Sequence, residues 1–222
     1  MPKRALVERR PWLLASLVAA IAYQALKDNQ FPGVYLYAFE AASLILLAIY
    51  AALRHKGGDV RLLVSSMALA GVGVVAVELD LYIGAVILII SHSFATALFV
   101  QNRRHSPSFS QKTTSLALLL LTPLIAWLQA RNDPSAMIVT VYGLALGGMG
   151  AAAWSSNFSR YRVGAGGVLI VFAALFSISG MGLLADSMLP GQLSWPFYYL
   201  GHFMLCTGVI QTLRGWEDDQ SG

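Results

Sequence analysis

Three side chains of this 222-residue sequence pair acid–base chemistry with apolar surroundings: Glu40 in YLYAFEAASLILL, His92 in GAVILIISHSFATALF and His202 in WPFYYLGHFMLCTG. A carboxyl and an imidazole whose properties are tuned by their surroundings are the usual general acid and general base. Three tyrosines accompany them, Tyr142 in MIVTVYGLALGGMG and the adjacent Tyr198 and Tyr199. A phenol can hold a polar substrate group, or simply sit in an interfacial aromatic belt. The histidines can equally complete hydrogen bonds between helices, and Glu40 can be a neutral or outward-reaching carboxyl. Two histidines and a glutamate could in principle hold a metal, but nothing has a ligand spacing such as HExxH, so no metal is expected. Phosphate loops, Gly-x-Ser-x-Gly elbows and dinucleotide fingerprints are absent from the sequence, and no cofactor is expected.

The elements that must position these residues are membrane helices. Apolar residues make up 57% of the chain and charged residues 12%, with a mean hydropathy of +0.63; soluble domains carry roughly 25% charged residues. A spanning helix takes about 20 mostly apolar residues. Apolar segments run at about residues 12 to 26, 34 to 53, 62 to 77, 81 to 100, 113 to 130, 135 to 154, 163 to 185 and 195 to 213. Turn and breaker residues separate them, including Pro32-Gly33, Gly57-Gly58, Asp133-Pro134 and Pro190-Gly191. The expected architecture is an all-α polytopic bundle of about eight transmembrane helices forming a single domain over residues 1 to 222.

Charge sets its orientation. Of the 15 Lys and Arg residues, only Lys27 and Arg131 fall in the separators on one side; the others occupy the alternate separators and the termini. By the positive-inside rule both termini are cytoplasmic. The separators on the Lys27 side are acidic instead, with Asp28, Glu78, Asp80, Asp133 and Asp186. The net charge of +4 is scattered in short clusters, so nucleic acid is not an expected partner. The basic N-terminus before an apolar stretch is like a secretory signal, but a small-residue cleavage site ahead of Lys27 is lacking, and the segment reads as a retained first span. Cys206, the single cysteine, lies within the last span and reads as a small buried side chain. Gly143 and Gly147, then Gly164, Gly166 and Gly167, read as close helix contacts inside the bundle. Asn157-Phe158-Ser159 fits a glycosylation acceptor, but the orientation places it inside.

Helical rise, ~1.5 Å per residue, puts Glu40, Tyr142, Tyr198, Tyr199 and His202 at similar depths in the outer leaflet, with His92 deeper. They can line one cavity if their azimuths agree.

Three segments carry a family resemblance. In the fourth span it rests on Gly84, Ser91, His92 and Phe99; in the sixth on Tyr142 and Met149, seven residues apart; in the last pair of spans on GGVLIVFAALFSISG followed by Tyr199, Gly201 and His202. Read in order, from about residue 35 to 213, they resemble the YhhN family of eight-span membrane proteins, whose eukaryotic members include lysoplasmalogenases. The chain departs from that pattern at three polar pairs. Glu40-Ala41 stands where the family commonly has Lys-Pro, Gly71-Val72-Gly73-Val74 where it often has Gly-Asp, and Ala173-Ala174 where it has Ser-Asp or Ser-Asn.

The resemblance implies hydrolysis of the vinyl-ether bond of a lysoplasmalogen or related ether lysolipid, with a membrane lipid as the partner. The catalytic candidates are then Glu40 as acid and His92 or His202 as base, with Tyr142, Tyr198, Tyr199 and Ser91 as substrate-binding candidates. Loss of the family aspartates keeps a second class open, a non-catalytic lipid-binding or partner-binding member of the fold. A small transporter ranks last, because the eight spans show no clear inverted repeat. The expected location is the inner membrane of a bacterium.

Overall fold

The computed structural model describes residues 10–29 and 32–220; Lys3, Arg4 and Arg9 of the basic N-terminal cluster lie outside the described residues. Among the described residues eight α-helices follow one another: α1 Arg10–Leu26, α2 Gly33–Arg54, α3 Gly58–Leu79, α4 Leu81–Gln101, α5 Phe109–Ala130, α6 Ala136–Ser155, α7 Ala165–Ser179 and α8 Leu189–Gln220. A π-helical turn, Arg160–Gly164, leads into α7. Helices α2 to α6, and the continuous run Arg160–Ser179, are long and apolar enough to cross a membrane. Helix α1 is apolar but shorter, and α8 is the longest. In hydrocarbon a helix satisfies its backbone groups within its own segment, which is why such uniformly apolar stretches take this form. The chain is an all-α, multi-pass membrane bundle.

Sequence neighbours pack side by side from α1 to α4, and again as α5 with α6 and α7 with α8. Contacts of α4 with α6, α6 with α7, and α8 with α2 and α1 close the ring. Helix α5 packs on α6 and α7 and leaves most of its surface outside. Asp80 alone joins α3 to α4, ending one helix and capping the next by accepting from the Ile83 amide at 2.9 Å. This turn presses the two helices together so closely that a Cβ on Gly84 would fall 2.3 Å from the Val77 nitrogen. Gly166 and Gly201 do the same for α7 and α8, each within 2.8 Å of the other's carbonyl oxygen once given a Cβ. Gly143 and Gly147 face α5 at Pro123 and Leu118, so these small residues serve contacts within the bundle.

Hydroxyl, thiol and indole groups fasten the seams by bonding to backbone carbonyls of neighbouring helices. Ser16 donates to Ser43 O at 2.6 Å, Trp195 Nε1 to Ala20 O at 3.1 Å, Ser115 to Ala151 O at 3.0 Å, and Cys206 Sγ reaches Leu47 O at 3.6 Å.

Several boundaries differ from the sequence expectation, among them the end of α7 and the start of α8. Helix α7 stops at Ser179, because the chain around Gly180 and Gly182 winds into tight turns on the Ser177 and Ser179 carbonyls. Helix α8 begins at Leu189 and runs through Pro196. A proline has no N–H for the carbonyl four residues earlier. Here that carbonyl, Gln192 O, accepts from Gln24 Nε2 of α1 at 3.4 Å.

The alternating directions of the helices sort the charges. Arg54, Lys56, Arg103, Arg104, Arg160 and Arg162 fall at one end, where Arg104 N bonds Ser155 O and Asn157 N bonds Asn102 O. The opposite end holds Lys27, Asp28 and Glu78 around the mouth of a cavity.

Candidate active site

The cavity has a volume of about 530 Å³ and takes lining residues from every helix except α5. Its mouth is charged, with Lys27, Asp28 and Glu78 beside Gly191. Lys27, just past the end of α1, donates through Nζ to Gly191 O and so ties α1 to the start of α8. Partial burial draws its pKa below the ordinary lysine range, against the opposing pull of Asp28. Below the mouth the wall is mostly apolar, formed by Val74, Val77, Leu88, Val139, Ala173, Ala174 and Ile178.

Against this wall stand Glu40, Tyr23, Tyr142, Trp195 and Tyr198. Glu40 is only 5% exposed, and its carboxyl stands beside the Tyr23 hydroxyl of α1. The Tyr23 ring is held in turn by Trp195, with ring centroids 4.6 Å apart. Glu40 Oε2 and the Tyr198 hydroxyl are buried without a hydrogen-bond partner in the protein. Leaving such atoms unmatched costs roughly 1–3 kcal/mol each, so the site is built for a polar group supplied from outside the chain.

The histidines lie directly beneath the tyrosines and not on the cavity wall. The His92 ring sits 5.6 Å from that of Tyr142, and the His202 ring 4.4 Å from that of Tyr198. His202 Nδ1 is 2.9 Å from Tyr198 O. A carbonyl only accepts, so Nδ1 carries the proton and Nε2 is the basic nitrogen of the neutral ring. His92 Nε2 is a third buried polar atom without a protein partner. Helices α2, α4, α6 and α8 thus bring Glu40, His92, Tyr142, Tyr198 and His202 into one cluster.

Ser91 and Tyr199 sit elsewhere. The fully buried Ser91 hydroxyl donates to Ser66 O at 2.8 Å, across the α3–α4 seam. The Tyr199 hydroxyl meets Ser16 Oγ at 2.9 Å, between α1 and α8. Neighbours in sequence along a helix point about 100° apart, which sends Tyr198 into the cavity and Tyr199 away from it. Sequence reasoning missed Tyr23, Lys27, Glu78 and Trp195 as cavity residues. Tyr23 was the findable one, a polar side chain one turn from the outer end of its span.

Glu40, Val74, Ala173 and Ala174, at the three places where the chain departs from the pattern it resembles, all line the cavity. The departures therefore change the cavity's chemistry, leaving one deep carboxyl facing an apolar wall.

Fold and site together define a multi-pass membrane protein with a polar cluster buried in its helix bundle and reached from one end. The family model of YhhN matches residues 35–209, and the chain belongs to the YhhN family. No curated protein and no solved structure matches the chain. The match takes in α2 to most of α8 and leaves α1, with Tyr23, outside.

Proposed function

We propose that this protein is a lysoplasmalogenase-like hydrolase that cleaves the vinyl-ether bond of a lysoplasmalogen or related ether lysolipid. The observation that carries the reading is the Glu40 carboxyl, with Oε2 unpartnered, inside a cavity of a YhhN-family membrane bundle. Glu40 donates a proton to the alkenyl carbon remote from the ether oxygen, leaving an oxocarbenium ion. Water adds to the carbon bearing that oxygen and gives up a proton to the Glu40 carboxylate or, beneath the tyrosines, to a histidine. The hemiacetal then collapses to a fatty aldehyde and a glycerophospho-alcohol. In this scheme His92 and His202 are the candidate bases and Tyr142 and Tyr198 hold the polar part of the substrate.

Aldehyde release from a lysoplasmalogen by the purified protein tests the scheme. General acid–base groups contribute roughly 10²–10⁴-fold, so Glu40→Gln should slow release at least about a hundredfold, and His92→Ala should slow it as well. No release, or equal release from the wild type and both variants, rules the assignment out.

The apolar wall at Val74, Ala173 and Ala174 favours a second reading, a lipid-binding member of the family without turnover. That reading requires lysolipid to bind the purified protein and return unhydrolysed. Eight crossings with both termini cytoplasmic, in a bacterial inner membrane, complete the proposal; the basic residues gathered opposite the cavity support that orientation.

A further inference from the structure

We propose that a second pocket, between the end of α2 and the start of α3, binds a phosphate anion, with Lys56 and Arg61 as its counter-charges. The pocket lies at the end of the bundle away from the Glu40 cavity and has a volume of about 340 Å³. Its lining divides into two parts. Ala52, Val60 and Val64 form an apolar back wall, while Lys56, Arg61 and Ser65 supply N–H and O–H donors. Among the described residues no carboxylate lines it.

The loop is shaped to bring these groups together. Gly57 has a φ of 156°, a conformation that side-chain-bearing residues rarely adopt, and it turns the chain from His55 and Lys56 straight into α3. Arg61 follows one turn along α3 and faces the same space as Lys56. A topology signal needs only positive charge near a span end; it needs neither a cavity nor an apolar wall behind the charge. Cations in front of hydrocarbon, at the end of two membrane helices, match a phospholipid phosphate with the first part of its chain, and basic pockets between membrane helices are known head-group sites. Free inorganic phosphate offers the same anion without the chain.

The test uses the full-length protein in nanodiscs of dioleoylphosphatidylcholine, with dioleoylphosphatidylglycerol titrated in and bound lipid counted by native mass spectrometry. The wild type should retain phosphatidylglycerol in preference to phosphatidylcholine. Lys56→Gln and Arg61→Gln should each weaken that preference about fivefold, and the double variant should abolish it. Both residues are exposed, and an unchanged melting temperature of each variant in pure phosphatidylcholine checks that the fold is intact. Competition by millimolar inorganic phosphate assigns the site to the anion alone; no competition assigns it to the lipid diester with its chain. Equal retention of the two lipids by the wild type, or an undiminished preference in the double variant, overturns the proposal.

Discussion

The Tyr23 hydroxyl of α1 stands beside the Glu40 carboxyl of α2, so a residue outside the YhhN match neighbours the carboxyl that, among the described residues, lies deepest in the cavity. Trp195 of α8 packs against the Tyr23 ring and keeps the phenol in place. Oε2 of Glu40 is left for a partner from outside the chain.

Tyr23→Phe removes the hydroxyl beside Glu40 while keeping the ring contact with Trp195. Loss of a positioning hydroxyl should lower kcat for aldehyde release about tenfold, roughly 1.4 kcal/mol in the barrier, with KM changed less than about twofold. Infrared difference spectra offer a readout independent of turnover. The band that disappears in Glu40→Gln should shift in Tyr23→Phe, and an unmoved band would remove Tyr23 from the site.

Adjacent tyrosines should behave differently. Tyr198 lines the cavity with an unpartnered hydroxyl, whereas Tyr199 is bonded to Ser16 at a helix seam. Tyr198→Phe should raise KM for the lysolipid several-fold at constant melting temperature. Tyr199→Phe should leave KM alone and lower the melting temperature, the loss corresponding to about 1 kcal/mol for one hydrogen bond. Identical profiles for the two variants would contradict this division.

Glycine substitutions separate tight seams from open surface. Gly84→Ala drives a methyl group against the α3 backbone at Val77, whereas a Cβ at Gly148 meets nothing within 4 Å. Overpacking of this kind costs about 1–3 kcal/mol. Gly84→Ala should therefore melt well below the wild type in detergent and Gly148→Ala beside it, and equal melting points would place the α3–α4 contact elsewhere.

Single cysteines report the orientation. Cys206 is fully buried, so it should give little background. In intact cells an impermeant maleimide should label Asp186→Cys, near the cavity end, and should label Arg104→Cys only after permeabilisation. The reverse pattern would turn the bundle over.

Much of this was already determined by the sequence. Uniformly apolar segments in hydrocarbon have little choice but to become helices, and positive charges in alternate connections fix their alternation, so number and direction of the elements are local properties. Depth is local as well, because helical rise is constant, and that placed Glu40, Tyr142 and Tyr198 at comparable levels, whereas His202 lies one turn deeper than Tyr198 beside His92. The spacing around Gly84, His92 and Tyr142 carried the family resemblance for the same reason.

Azimuth and partnership were decided only by tertiary structure. A helix that is apolar all round offers no polar face to show which side turns inward, so the division between Tyr198 and Tyr199 depends on how α8 packs against α1 and α7. Tyr23 and Glu40 meet across two helices joined by the Ser16–Ser43 bond, with Trp195 of α8 fastened to α1 at Ala20. Glu78 and Lys27 looked like connection charges, and became the mouth of a cavity because ring closure by α8 brought their helix ends together.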